Sequence, residues 1–569
     1  MLLSVALFVS LTTFLGCVAS STDPNPNHAA DVRRPRGLAP RQNIAGVRLG
    51  SSNNTSGSGI TRLVLASDQS SYYATIAAGN ITFRLAVDTA SSDTLIASTD
   101  CVSNACRSIP KYPLKYQSPT FVSLNGNSTT FNVSYADGTF SSGYVARESV
   151  RVANLTVPDQ AFGVVNETTV SFTNEISGIL GLGFPRLSQI YNTSAHGTPF
   201  FSALAQRAIV DYPIFGIYLT RNYTGTLSLG AIDSGVVNNI SNIEWHDVVP
   251  FAPQGASNNV SSYLYWALQL SSISVNGTSF TPVPTYPSVT PDIGSLAILD
   301  VGTPGIYGPY NDVSNIYSLI PGSRLVDEGG QWAIPCDTLV TMSFSFGGQN
   351  FTLQPTDYMI GPASGNPNMC LTWPRASPPT PDGVDWQLGS AFLRSVYSIY
   401  DYGIDTMEPP IIGLYPLNNQ TTLQQNSTFL SSYFSLNTAT IATTLPNSLL
   451  SPPSYTTPPY AFNTSVVAEP GEIVSSELGT STYSPMFGTV PTPQPTAIPT
   501  VSLTPNVITL LVTNHNSVST SVSTAMDDQA SLGVPYGWTS SGSIGRYTAP
   551  SLVTTASLFL LSFVVFSMS

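Results

Sequence analysis

The feature that most constrains this chain is a pattern it carries twice: an apolar run that ends on an aspartate and turns at once into small and hydroxyl residues. The first copy is Leu85-Ala86-Val87-Asp88-Thr89-Ala90-Ser91-Ser92-Asp93, and the second is Leu296-Ala297-Ile298-Leu299-Asp300-Val301-Gly302-Thr303. A buried strand that stops on a carboxylate holds that carboxylate at a fixed place. Upstream, Tyr73 to Ile76 and Ile81 to Val87 predict two strands joined at Ala78-Gly79-Asn80, with Ile81, Phe83, Leu85 and Val87 alternating onto one face. Each acid is followed at a similar distance by a tripeptide read as an apolar pair and a glycine, Ile179-Leu180-Gly181 and Gln387-Leu388-Gly389. Gly181 lies 93 residues after Asp88 and Gly389 lies 89 after Asp300. Self-similarity over that span predicts two lobes built alike, each offering one carboxylate to the surface where they meet.

Composition narrows the function classes. At 569 residues and 42% hydrophobic content the chain exceeds one ordinary domain and can bury a large core. Charged residues make up 9%, Lys111 and Lys115 are the only lysines, and the net charge is −13, so no basic patch for nucleic acid is expected. A chain with few basic groups has few ion pairs to lose when carboxylates protonate, which suits work in acid.

The ends read differently from the middle. Residues 1–20 combine an apolar segment with small residues at Val18-Ala19-Ser20 and read as a cleaved secretory signal. Residues 21–60 are polar, with Arg33-Arg34 and Arg41 as possible processing points, and read as a pro-segment. Sixteen Asn-x-Ser/Thr sequons between Asn53 and Asn463 support secretion, although those in strand-like runs such as Asn350 are expected to stay unmodified. Residues 418–541 are rich in Ser, Thr, Pro and Asn, without sustained period, and read as an extended stalk that buries no core. Residues 542–569 pair a spacer with a terminal apolar tail too short to span a bilayer comfortably, which fits a GPI-attachment signal better than a tail-anchored helix. Removing the signal leaves Cys101, Cys106, Cys336 and Cys370, which allow three pairings. No C-x-x-C and no clustered histidines favour a metal, and neither metal nor cofactor is expected.

The two acids with their following sequences, Ser91-Ser92-Asp93, Tyr135-Ala136-Asp137-Gly138-Thr139, Gly178 to Gly183 and Trp386 to Arg394 occur in an order that resembles the pepsin-like aspartic proteases, with fungal secreted or GPI-anchored (yapsin-type, polyporopepsin-like) members in particular. The resemblance covers Ile60 to Pro416. It implies an all-β, bilobal fold with a cleft between a lobe at 61–245 and one at 246–417. It implies that Asp88 and Asp300 form a catalytic dyad supported by Thr89, Ser91, Gly302 and Thr303, and that Tyr135, Asp137, Gly138 and Thr139 form a flap over a polypeptide substrate. It implies bridges Cys101–Cys106 and Cys336–Cys370, a basic pro-segment that pairs with the dyad in a zymogen, and a monomer whose membrane contact is the anchor alone. Such a dyad cannot ionise twice easily, so one acid stays protonated while the other takes a proton from a water lying between them. The function implied is endopeptidase action at acid pH; the alternative is a weak or inactive relative that binds peptide or wall polymer at the cell surface.

Three positions depart from the family pattern. Ala90 replaces a glycine, and Leu95 stands where a tryptophan usually supports the flap tyrosine. Val301 replaces a hydroxyl residue that normally bonds across the floor of the site, while Thr89 keeps its half. Both acids remain, and the sequence predicts a working but altered dyad.

Overall fold

The computed structural model describes residues 57–451 apart from short interruptions, together with 483–487, 498–503, 507–514, 517–524 and 531–536. The expected signal peptide, residues 21–56 of the expected pro-segment and the expected GPI signal lie outside the described residues. Residues 59 and 60, at the end of the expected pro-segment, already belong to the strand Gly59–Leu65.

The fold is all-β and bilobal, as the resemblance implies, with the two lobes that the doubled pattern predicts. Strand Ile81–Asp88 buries Ile81, Phe83, Leu85 and Val87 completely, the face the alternation marks out. It pairs antiparallel with Tyr72–Ala78 through a tight turn in which Gly79 takes φ +59°, a conformation open to glycine at little cost. Its other neighbour, Ile176–Gly181, is parallel. Parallel strands covered on both faces read as unbroken apolar runs, and Ile176–Gly181 and Leu296–Leu299 are buried at every position.

From Ile81–Asp88 the main sheet extends one way through Gly59–Leu65, Thr224–Leu229 and Ile214–Leu219, and the other way through Thr94–Ala97, Leu155–Thr168 and Phe140–Val152. Ile214–Leu219 pairs with Val396–Asp401 and so joins strands from the second half of the chain to those from the first. The second lobe adds three smaller sheets, one of which carries Leu296–Leu299 beside Trp386–Leu388. Aromatic rings fill the junction: Phe184 lies 4.2 Å from Trp266, and Phe215 stacks on Tyr400 at 4.7 Å. The Trp266 indole and the Tyr402 hydroxyl both donate to the Leu182 carbonyl, at 3.1 and 2.9 Å, and the Leu182 N–H donates to the Asp88 carbonyl at 2.7 Å. The core beneath the lobes therefore holds the backbone of the first acid through Leu182.

Disulfides Cys101–Cys106 and Cys336–Cys370 close loops within the first and second lobes.

The residues described between 418 and 536 do not fit a stalk that buries no core. Helix Ser427–Leu436 inserts Leu430, Leu445 is buried beside Ala333 and Leu371, and Phe487 and Ile498 are 3% and 6% exposed. Thr500–Val501 adds a parallel strand to Ile232–Asp233, and Leu532 and Pro535 bridge to Thr82 and Ile81. Each anchor is a single apolar residue in a Ser/Thr/Pro background, docked on an edge that the body already provides, so it leaves no periodic trace in the sequence. Among the described residues no helix is long and apolar enough to cross a membrane.

Candidate active site

The two acids reach the site through the same backbone device. In the first lobe Val87 stands opposite Leu180 and Asp88 opposite Gly181; in the second, Leu299 stands opposite Leu388 in the same parallel sense. The glycines that end the tripeptides are required by space. A Cβ on Gly181 would meet the Ser92 carbonyl carbon at 2.4 Å, and one on Gly389 would meet the Thr303 oxygen at 2.1 Å. Each glycine lets the loop after an acid fold back over the neighbouring strand.

Those loops present matching donors. Asp88 Oδ1 accepts from the Ala90 N–H at 2.9 Å and Oδ2 from the Ser91 hydroxyl at 2.5 Å. Asp300 Oδ1 accepts from the Gly302 N–H at 2.8 Å and Oδ2 from the Thr303 hydroxyl at 2.6 Å. A Cβ on Gly302 would lie 2.6 Å from Asp88 Oδ1 and 3.1 Å from Asp300 Oδ1, so the two inner oxygens approach one another around this glycine. Burial pushes the Asp88 carboxyl up to about 7, and the charge of Asp300 adds to the shift.

Thr89 and Val301 explain how an unequal floor is closed. The Thr89 hydroxyl donates to the Leu299 carbonyl at 2.8 Å and accepts from the Val301 N–H at 3.0 Å, tying one acid's strand to the other's. The Val301 side chain is fully buried in the main core and contributes packing alone. The Ala90 methyl lies against the cluster containing Phe251, Leu296 and Ile298 and is half-buried there. Leu95 fills the space under the flap with Phe131 and Ala97, and Tyr135 packs on that cluster. Gly163 makes the room, since a Cβ there would meet Leu95 Cδ2 at 2.5 Å.

The flap is a hairpin of Thr130–Ser134 and the start of Phe140–Val152, with Ser134 opposite Phe140. In its five-residue loop the Tyr135 N–H donates to the Thr139 carbonyl at 2.8 Å, and Gly138 takes φ +82°. Asp137 Oδ1 accepts from the Thr139 N–H and hydroxyl at 2.9 and 2.6 Å, which makes it the staple of the turn. Tyr135 is held above the ordinary phenol range by burial and then by the charges of Asp88 and Asp93.

Two side chains near the acids went unassigned in the sequence. Asp93 is 6% exposed and accepts from the Ser188 hydroxyl and from the N–H groups of Gln189 and Ile190, at 2.8 and 3.3 Å for the latter two. Burial nevertheless pushes its carboxyl up to about 6. Gln387 donates to Asp300 Oδ2 and to the Thr303 hydroxyl, both at 2.7 Å. Its signal was available: it is the polar member of a tripeptide that otherwise reads as apolar. Among the described residues no group of three His, Cys, Asp or Glu side chains is placed to hold a metal ion.

Comparison with known proteins agrees with this geometry. A family model described as eukaryotic aspartyl protease matches residues 71–408, more than half of the chain. An aspartic protease of Phaffia rhodozyma is 32% identical over 335 residues, covering 58% of this chain and 73% of that protein. Major aspartyl peptidase 1 of Cryptococcus neoformans var. grubii is 29% identical, covering 56% and 64% of the two chains. Cathepsin E of Oryctolagus cuniculus is 30% identical over 344 residues, covering 58% and 78%. A doubled acid loop of matched register and a family match that spans both acids lead to one conclusion: the chain belongs to the pepsin-like eukaryotic aspartyl protease family.

Proposed function

We propose that the protein is an acid endopeptidase in which Asp88 and Asp300 activate a water for attack on a peptide carbonyl. The observation that carries this reading is the pair of inner oxygens converging on Gly302, each acid bonded by its own loop N–H and hydroxyl. One acid, ionised, takes a proton from the water as its oxygen bonds to the carbonyl carbon. The other, protonated, donates toward the developing oxyanion, and the proton taken from water passes to the leaving nitrogen as the C–N bond breaks. Neither acid bonds covalently to substrate. Tyr135 and the loop around Gly138 close over the peptide and exclude water.

The same reading takes the protein as a secreted, glycosylated and GPI-anchored monomer made as a zymogen. All ten sequon asparagines among the described residues, at 80, 127, 132, 154, 166, 222, 239, 276, 350 and 426, are exposed, Asn350 included. Release from cells by a phosphatidylinositol-specific phospholipase tests the anchor; a mature protein that retains Phe559 to Met568 refutes it.

Activity is tested with the processed protein on an unfolded polypeptide between pH 3 and 7. Cleavage is expected at acid pH, blocked by a statine-type inhibitor, whose hydroxyl imitates the tetrahedral species between the acids. Asp88→Asn and Asp300→Asn should each abolish it while the thermal transition stays in place. No cleavage and no inhibitor-induced stabilisation in wild type would favour the non-catalytic binding protein. Cleavage surviving in either variant would assign the activity elsewhere.

A further inference from the structure

We infer that Gln387 is a positioning residue of the dyad, which fixes the negative charge on Asp300 and leaves the shared proton on Asp88. The inference rests on the proposed dyad and adds to it the direction in which the proton moves. The outer oxygens of the acids are otherwise matched, Ser91 on one and Thr303 on the other. The Gln387 side-chain amide breaks the match by adding a second donor to Asp300 Oδ2 at 2.7 Å. It also donates to the Thr303 hydroxyl, whose own hydrogen is directed at Asp300, so the two donors form one chain that ends on the carboxylate. Ile179, the residue at the matching register in the first lobe, has no polar tip to offer Asp88.

Backbone placement makes this geometry rigid. Gln387 sits in mid-strand, opposite Ile298 on one side and Tyr307 on the other, with fully buried Trp386 and Leu388 as chain neighbours. A half-buried amide there needs a partner, and the acid supplies it. A hydrogen bond to an ionised acceptor is stronger than one to a neutral acceptor, so two donors on Asp300 against one on the outer oxygen of Asp88 favour the charge on Asp300. The raised Asp88 carboxyl agrees. In the reaction Asp300 then takes the proton from water, and Asp88 is the acid that faces the carbonyl oxygen.

The phenols around the two acids do not disturb this order. Tyr400 feels Asp300 from the strand Val396–Asp401, Tyr135 feels Asp88 from the flap, and Tyr307 stands across from Gln387. All three are held above the ordinary phenol range by burial and stay neutral in acid. Arg375 stands opposite Tyr307 on the far side from Gln387.

Gln387→Met keeps length and removes the donor. If Asp300 carries the charge, both the singly and the doubly ionised dyad lose the donor, and only the first ionisation becomes harder. The acid limb of kcat/KM should then move up by about one pH unit, with the alkaline limb unmoved. If Asp300 carried the proton, the alkaline limb would move up and the acid limb would stay. The second variant, Ser91→Ala, removes the outer donor of Asp88 and should move the alkaline limb instead. Statine-type inhibitor binding, read by thermal stabilisation across the same pH range, should show the same displaced limb without depending on turnover. An alkaline shift in Gln387→Met, or no shift in an enzyme that still loses activity in Asp88→Asn, overturns the inference while leaving the dyad standing. A wild type that neither cleaves nor binds the inhibitor removes the dyad reading itself.

Discussion

Phe487 tests whether the Ser/Thr/Pro-rich segment is part of the folded body. Its ring is 3% exposed, lies 4.6 Å from Trp245 and joins a cluster with Ile243, Tyr397 and Ile399, all anchored in the body. The contact is reinforced by polar groups. The Phe487 N–H donates to Glu408 Oε2 at 2.8 Å, the Met486 N–H donates to the Tyr212 hydroxyl at 3.0 Å, and the Tyr483 hydroxyl donates to the Val210 carbonyl at 2.8 Å. Truncating a buried phenylalanine to alanine costs about 3 to 5 kcal/mol where the cavity cannot collapse. Here the segment can instead let go, which caps the loss at the free energy of docking. We therefore expect Phe487→Ala to lower stability by about 3 kcal/mol in denaturant unfolding at pH 5, a fall of several degrees in melting temperature. Phe429→Ala, at a ring 46% exposed, is the control and should stay within about 0.5 kcal/mol. Truncation after residue 451 should cost at least as much as Phe487→Ala, because it also removes Ile498 and the strand Thr500–Val501. Equal stabilities for wild type, Phe487→Ala and the truncated chain would refute the docking and restore the free stalk.

Asp93 should make stability depend on pH. Its folded carboxyl is raised from 3.8 to about 6, so its contribution is fully present below about 3.8 and is lost as pH rises through 6. At about 1.4 kcal/mol per unit the loss approaches 3 kcal/mol. Asp93→Asn should flatten the stability profile between pH 4 and 6, measured by denaturant unfolding, and an unchanged slope would refute the assignment. Val301→Thr places a hydroxyl where the relation between the lobes aims it at the Val87 carbonyl, as the Thr89 hydroxyl is aimed at that of Leu299. A gain of about 1 kcal/mol is expected, and a loss of that size would show that the floor has been rebuilt around valine.

Legibility in the sequence followed how local the cause was. The strand Ile81–Asp88, its alternation and its turn could be read because steric demands act within a few residues, and the glycines at 181 and 389 because nothing larger fits beneath the acid loops. The Asp137-Gly138 turn was equally local, with Asp137 bonded to the Thr139 N–H and hydroxyl within it. What could not be read were residues whose meaning depends on a distant partner. Phe487 finds Trp245 from 242 residues away, and Asp93 finds the loop at 188–190, neither marked by any repeat.

Gln387 lies between these cases. A polar side chain in a strand buried on both sides is expensive unless it is bonded, so its presence in Trp386-Gln387-Leu388-Gly389 required a partner before any partner was visible. The matching register narrows the candidates to groups beside the end of Leu296–Leu299, where Asp300 and Thr303 accept from it. Where a repeat is otherwise faithful, the position at which one copy turns polar is therefore informative about chemistry: the pattern fixes where the two lobes are alike, and the exception marks where the two acids cease to be equivalent.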